Sequence, residues 1–135
     1  MVAPIRQTLE WDSDFDTVID VRSPDEFEDD HIPGAINLPV LSNDERAEVG
    51  TIYKQDSPFK ARQLGAQYTA RNIAGHIHQL MQYDARWRPL VYCWRGGQRS
   101  GSMALILSEI GWVTTILDGG YKTCLLYTSP SPRDA

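Results

Sequence analysis

The stretch of this chain best equipped for chemistry is Tyr92-Cys93-Trp94-Arg95-Gly96-Gly97-Gln98-Arg99-Ser100. An apolar run, Leu90-Val91-Tyr92, ends abruptly at Cys93, and a helical stripe of Met103, Ile106, Leu107 and Ile110 follows from Ser100. The loop is therefore expected to join the carboxyl end of a strand to the amino end of a helix, where α/β proteins usually bind ligands. Free amides and the positive end of the helix dipole draw anions to such a place. Gly96 and Gly97 let the backbone curl with its amides pointing inward. Arg95 and Arg99 add fixed positive charge, and Arg99 is expected to grip an oxyanion through two parallel hydrogen bonds. With Gln98 and Ser100 these residues form the expected anion cradle. A thiol at its base is expected to ionise below the ~8.5 of free cysteine. Cys93 is then the expected catalytic nucleophile, with donors around it to stabilise developing charge. An isolated strand-end cysteine is more often a buried apolar group; two arginines and two glycines in the next six positions reverse that balance.

Other candidates carry less. His76 and His78 are two apart, face different sides of a helix and make a poor metal pair, so a solvent-facing position is expected. His31 lies in turn chemistry and is expected to be structural. No metal site is expected. Asp20 and Arg22 are expected to pair near the sheet edge and brace the loop rather than react. Trp94 can stack on a base and Arg62, Arg71, Arg86 and Arg88 can meet phosphates, with a packed indole and plain surface charge as the equal alternative.

The elements that must hold this loop alternate between strand and helix. Residues 17–21 are short, β-branched and apolar, as a buried strand should be. Ser23-Pro24-Asp25-Glu26 reads as a capping box with proline at the first helical position, and Ser42-Asn43-Asp44-Glu45 as a second box. Residues 31–34 are turn chemistry, 35–38 a short strand, and Ser57-Pro58 opens a longer helix. Gly111 ends the helix after the cysteine loop, residues 113–117 form another strand, and Asp118-Gly119-Gly120 is a turn. Strands separated by helices favour a parallel sheet covered on both faces, so the fold class is α/β. Residues 4–123 are expected to form one domain. Residues 124–135, polar and proline-punctuated over 128–134, are expected to be an unpacked tail whose residues 124–134 resemble translated adapter DNA more than a native linker. Cys124 is set aside with it.

Composition frames these readings. The 135 residues, 41% hydrophobic and 23% charged, suit one globular domain. No apolar run approaches the ~18 residues of a membrane span, and the first ten residues lack a signal-peptide layout. Two cysteines make no disulfide framework, and a reducing cytoplasm is the expected location. Charge is uneven: residues 1–50 hold 13 acids and 3 bases, whereas residues 51–123 hold 4 acids and 9 bases. The basic second half suggests an anionic ligand on one face, against the plainer reading of a mixed solvated surface.

Two resemblances follow. Cys93-x5-Arg99-Ser100 is similar to the phosphate loop of cysteine-dependent phosphatases, although Tyr92 stands where those enzymes commonly have His. Asp20-Val21-Arg22-Ser23-Pro24-Asp25-Glu26-Phe27, leading to residues 31–39, resembles the signature of the rhodanese superfamily, and Asp118-Gly119-Gly120-Tyr121 resembles its closing motif. More specifically, residues 93–100, 45–55 and 70–73 resemble the amino-terminal rhodanese domain of the tRNA 2-selenouridine synthase family. The resemblance implies a rhodanese-like three-layer sandwich with a central, mainly parallel sheet. It also implies a cytoplasmic transferase that replaces the sulfur of 2-thiouridine at the tRNA wobble position with selenium from selenophosphate. Cys93 would carry selenium as a selanyl intermediate, with no tightly bound cofactor. Full-length members also use geranyl diphosphate to geranylate the sulfur. They have a second domain with a Gly-x-x-x-x-Gly-Lys-Ser/Thr loop, which no segment here fits, so the chain is expected to be an amino-terminal piece. The alternatives are a Cys-x5-Arg phosphatase or arsenate-reductase-like enzyme, and a non-catalytic binding module.

Overall fold

The computed structural model describes residues 2–11, 14–95 and 97–122. Gly96 and the whole 124–135 tail lie outside the described residues. Among the described residues, five strands, β1 (Ile5–Thr8), β2 (Thr17–Asp20), β3 (Ile36–Asn37), β4 (Pro89–Tyr92) and β5 (Thr114–Leu117), form one sheet in the order β1-β5-β4-β2-β3. Every pairing is parallel. Parallel neighbours need crossovers, and four helices interleave with the strands: α1 (Pro24–Asp29), α2 (Asn43–Gln55), α3 (Pro58–Leu80) and α4 (Gln98–Ile110).

Side chains alternate across a strand, so β4 feeds two cores. Val91 and the following Cys93 join Ile19, Ile73, Met103, Leu107 and Trp112 on the α3 and α4 side. Leu90 and Tyr92 join Ile32, Ala35, Leu117 and Tyr121, with Phe27 of α1 packed against them. The result is the expected α/β three-layer arrangement, and all four residues of β4 are buried.

Helices α1, α2 and α3 start where their serine caps place them. Ser42 Oγ accepts the Glu45 amide at 3.1 Å while the Ser42 amide donates to Glu45 at 2.8 Å. Ser57 caps α3 by accepting the Lys60 amide at 3.2 Å. Gly111 ends α4 with φ +120°, a backbone conformation that favours glycine. β1 is the element that periodicity missed. Its residues Ile5-Arg6-Gln7-Thr8 form a four-residue edge strand, mostly exposed, whose polar run carries no alternation.

Candidate active site

Cys93 follows β4 directly and is only 3% exposed. Four residues later Gly97 caps α4, so the thiol lies beneath the amino terminus of a 13-residue helix. The Gly97 amide donates to Cys93 Sγ at 3.2 Å, and Ser100 Oγ lies 3.3 Å from the same sulfur. Ser100 also donates to the Gly97 carbonyl at 3.2 Å. In the neutral state the thiol can donate to the serine while the hydroxyl serves Gly97. In the thiolate state the hydroxyl can turn to the sulfur, which then has an amide and a hydroxyl donor.

The loop is tied down from beneath. Cys93 O accepts the Tyr121 amide at 2.7 Å and Trp94 O accepts the Lys122 amide at 3.0 Å. These bonds need the chain to reverse after β5, and Gly119 and Gly120 do so with φ +79° and +67°. Tyr121 in turn covers Arg22, whose guanidinium carbon lies 4.6 Å from the ring centre. Asp20 and Arg22 do pair, at 2.8 Å, and both are buried. Arg22 also donates to the Asp30 carbonyl at 2.5 Å. Burial alone would lower the Arg22 pKa, but the Asp20 hydrogen bonds and charge reverse this and raise it. Burial, with the Asp20 charge nearby, pushes the Tyr92 phenol well above its usual range. That phenol accepts the Ile32 amide at 3.1 Å.

The expected cradle is assembled in part. Arg95, Gly97 and Gln98 are exposed at the loop rim, and Ser100 is buried against the sulfur. Trp94 is half-buried and packs toward Tyr121, with ring centres 6.2 Å apart. Arg99 takes a partner that local sequence did not indicate. Its two terminal amino groups fork onto Glu26, at 2.7 and 3.3 Å. Burial works to raise the Glu26 pKa, but the Arg99 fork and the Ser23 bonds outweigh it and pull it down to about 2. The two residues lie 73 positions apart, so only tertiary structure joins them.

His78 is exposed, as expected, whereas His76 is only part-exposed and takes a structural contact. Its Nε2 lies 2.6 Å from the Pro39 carbonyl, because the α3 face that carries it packs on the strand exit at residues 39–41. His31 stacks on Phe27, with ring centres 3.7 Å apart, and meets the Phe27 carbonyl at 2.7 Å. Beside the loop, a groove of about 540 Å³ runs between α2, α3 and α4. Its walls include Val49, Ala66, Ile73 and Ile106, and Gln98, Arg99 and Ser102 stand at one end. The apolar positions that make it come from three separate helices, so no single sequence window shows it.

A parallel sheet with a cysteine loop between the carboxyl end of a central strand and a helix amino terminus defines the class. The chain belongs to the rhodanese-like domain family, whose model matches residues 5–124. It is 40% identical over 118 residues to a tRNA 2-selenouridine synthase of Bdellovibrio bacteriovorus, covering 82% of this chain and 30% of that protein. It is 42% identical over 107 residues to a tRNA 2-selenouridine synthase of Proteus mirabilis, covering 78% of this chain and 30% of that protein. The chain thus spans less than a third of the length of these curated relatives. A solved N-terminal domain from Clostridium difficile 630, of a protein named for ATP/GTP binding, superposes with TM-score 0.73 at 38% identity. That match covers 84% of this chain and 89% of the other.

Proposed function

We propose that this domain performs the chalcogen-capturing half of a tRNA modification, with Cys93 taking selenium from selenophosphate for exchange into 2-thiouridine at the wobble position. The observation that carries the reading is the Cys93 sulfur under the α4 amino terminus, 3.2 Å from the Gly97 amide and 3.3 Å from Ser100 Oγ. Similarity to tRNA 2-selenouridine synthases supplies the substrate class. Loop amides, Arg95, Gln98 and Arg99 bind the phosphoryl oxygens, and Ser100 steadies the thiolate. The Cys93 thiolate attacks selenium, an S–Se bond forms, and the Se–P bond breaks with its electron pair leaving on phosphorus as phosphite. With thiosulfate the same attack gives a persulfide and sulfite. In delivery the terminal selenium attacks the thiocarbonyl carbon of the nucleoside, so that a C–Se bond forms as the C–S bond breaks and hydrosulfide leaves. A cellular thiol then attacks the Cys93 sulfur, leaving a mixed disulfide on Cys93 and freeing the selenouridine.

A second activity, geranylation of the same sulfur from geranyl diphosphate, is favoured by one observation. The groove beside the loop has apolar walls for an isoprenoid tail and ends at Gln98, Arg99 and Ser102, where a diphosphate would sit.

The test is to offer the purified chain selenophosphate, thiosulfate and an aryl phosphate in parallel. The expected result is about one bound selenium or sulfane sulfur per chain, none on Cys93→Ser, and no aryl phosphate turnover. Turnover of the aryl phosphate that is abolished by Cys93→Ser would replace this reading with a phosphatase, which needs a general acid to protonate its leaving group.

A further inference from the structure

We propose that Glu26 is a positioning residue for anion capture at Cys93: it fixes the Arg99 guanidinium at the rim of the thiol loop. The proposal rests on the reading of Cys93 as a nucleophile toward anions. Arg99 sits in the first turn of α4, next to the Ser100 whose hydroxyl touches the sulfur. Its two terminal amino groups are committed to Glu26 at 2.7 and 3.3 Å. A guanidinium has a second donor edge, Nε with one amino group, and a fork through the terminal amino groups leaves that edge for a tetrahedral anion. An arginine ordered in advance does not lose its rotamer freedom when the anion arrives.

Glu26 is itself held firmly enough to act as an anchor. It accepts the Ser23 amide at 3.0 Å and the Ser23 hydroxyl at 2.9 Å, and Arg46 Nε of α2 lies 3.3 Å away. Capping α1 accounts for the Ser23 contacts alone. The fork to α4 joins α1 to the start of the cysteine-loop helix and serves no cap. Its two side chains are 22% and 17% exposed, so the pair is shielded but within reach of a ligand at the rim.

The opposing possibility is that Glu26 merely screens Arg99, and the two differ in sign. Iodoacetate and iodoacetamide alkylate a thiolate by the same displacement of iodide but differ in charge. Their rate ratio at Cys93 therefore cancels the thiolate fraction and reports on anion guidance. Positioning predicts that the ratio falls by roughly five- to tenfold in Glu26→Gln, although a negative charge has been removed, as expected for losing one charge-assisted contact. Arg99→Gln should give the same fall, and the double variant no further fall. Glu26→Asp, which keeps the charge but not the reach, should also fall and serves should the Gln variant fold poorly. Ser23→Ala removes the hydroxyl contact but leaves the Ser23 amide and Arg46 holding Glu26 and the fork intact, so the ratio should stay within about twofold of the parent. A ratio that rises or stays constant in Glu26→Gln, or losses that add in the double variant, would overturn the proposal. Selenium capture by the parent chain tests the underlying reading separately, because it involves no Glu26 variant.

Discussion

At the scale of single residues, the sulfur and its two donors are the core of the account. Ser100→Ala removes the hydroxyl 3.3 Å from Sγ while the Gly97 amide remains. Cys93 alkylation at neutral pH is expected to slow by roughly three- to tenfold, with about 1 kcal/mol lost in urea unfolding from the missing bond to Gly97 O. Glu26 sets a pH dependence of stability. Its carboxyl is held at about 2 against an ordinary 4.5, so its stabilising contribution is complete above 4.5 and is lost as pH falls through 2. That contribution is on the order of 2–3 kcal/mol at neutral pH, and Glu26→Gln should flatten this part of an unfolding-midpoint profile measured between pH 2 and 6. The candidate nucleophile was legible because thiol, glycines and arginines share one short window. The partner of Arg99 was not, because a contact across 73 residues leaves no local pattern. Glu26 was visible as half of a capping box and within the rhodanese-like stretch 20–27, but not as the partner of Arg99.

Among the elements, helices α1, α2 and α3 were legible at their starts, whereas α4 begins at Gln98 without a side-chain cap, two residues before the stripe read from Ser100. Ser23, Ser42 and Ser57 are polar residues whose side chains bond the first turn or its capping glutamate, and this local chemistry survives folding. Edge strand β1 was not legible, since an exposed strand has no apolar face to show. The turn after β5 is bonded to the backbone of the cysteine loop. Gly120 has φ +67°, and the next residue donates its amide to Cys93 O at 2.7 Å. Gly120→Ala is expected to destabilise the domain by more than about 1 kcal/mol, because a Cβ is strained there. It should also lower selenium capture, since the strand end that carries Cys93 loses its fixed depth. A chemical unfolding curve and a capture assay on the same sample check both.

For the whole molecule, the two steps of the proposed chemistry make different demands. Capture needs a thiol and an anion cradle, and the proposed thiol and cradle both lie within residues 93–100. Delivery needs a tRNA anticodon held against Cys93, with bases stacked and phosphates read. The net charge of −5 opposes a polyanion, and the basic second half offsets this on one face only. The chain is therefore expected to convert 2-thiouridine tRNA poorly or not at all by itself, and robust multiple turnover in a nucleoside assay would reverse that division of labour. The fold class and the cysteine loop were legible because parallel α/β topology follows from strand–helix alternation. The groove between α2, α3 and α4 was not, because its walls come from three helices. The central claim, that Cys93 receives selenium, is tested most directly by peptide mass spectrometry after incubation with selenophosphate. The account predicts a selenium adduct on the peptide containing Cys93 and none in Cys93→Ser; an unmodified Cys93 peptide under saturating selenophosphate would contradict it.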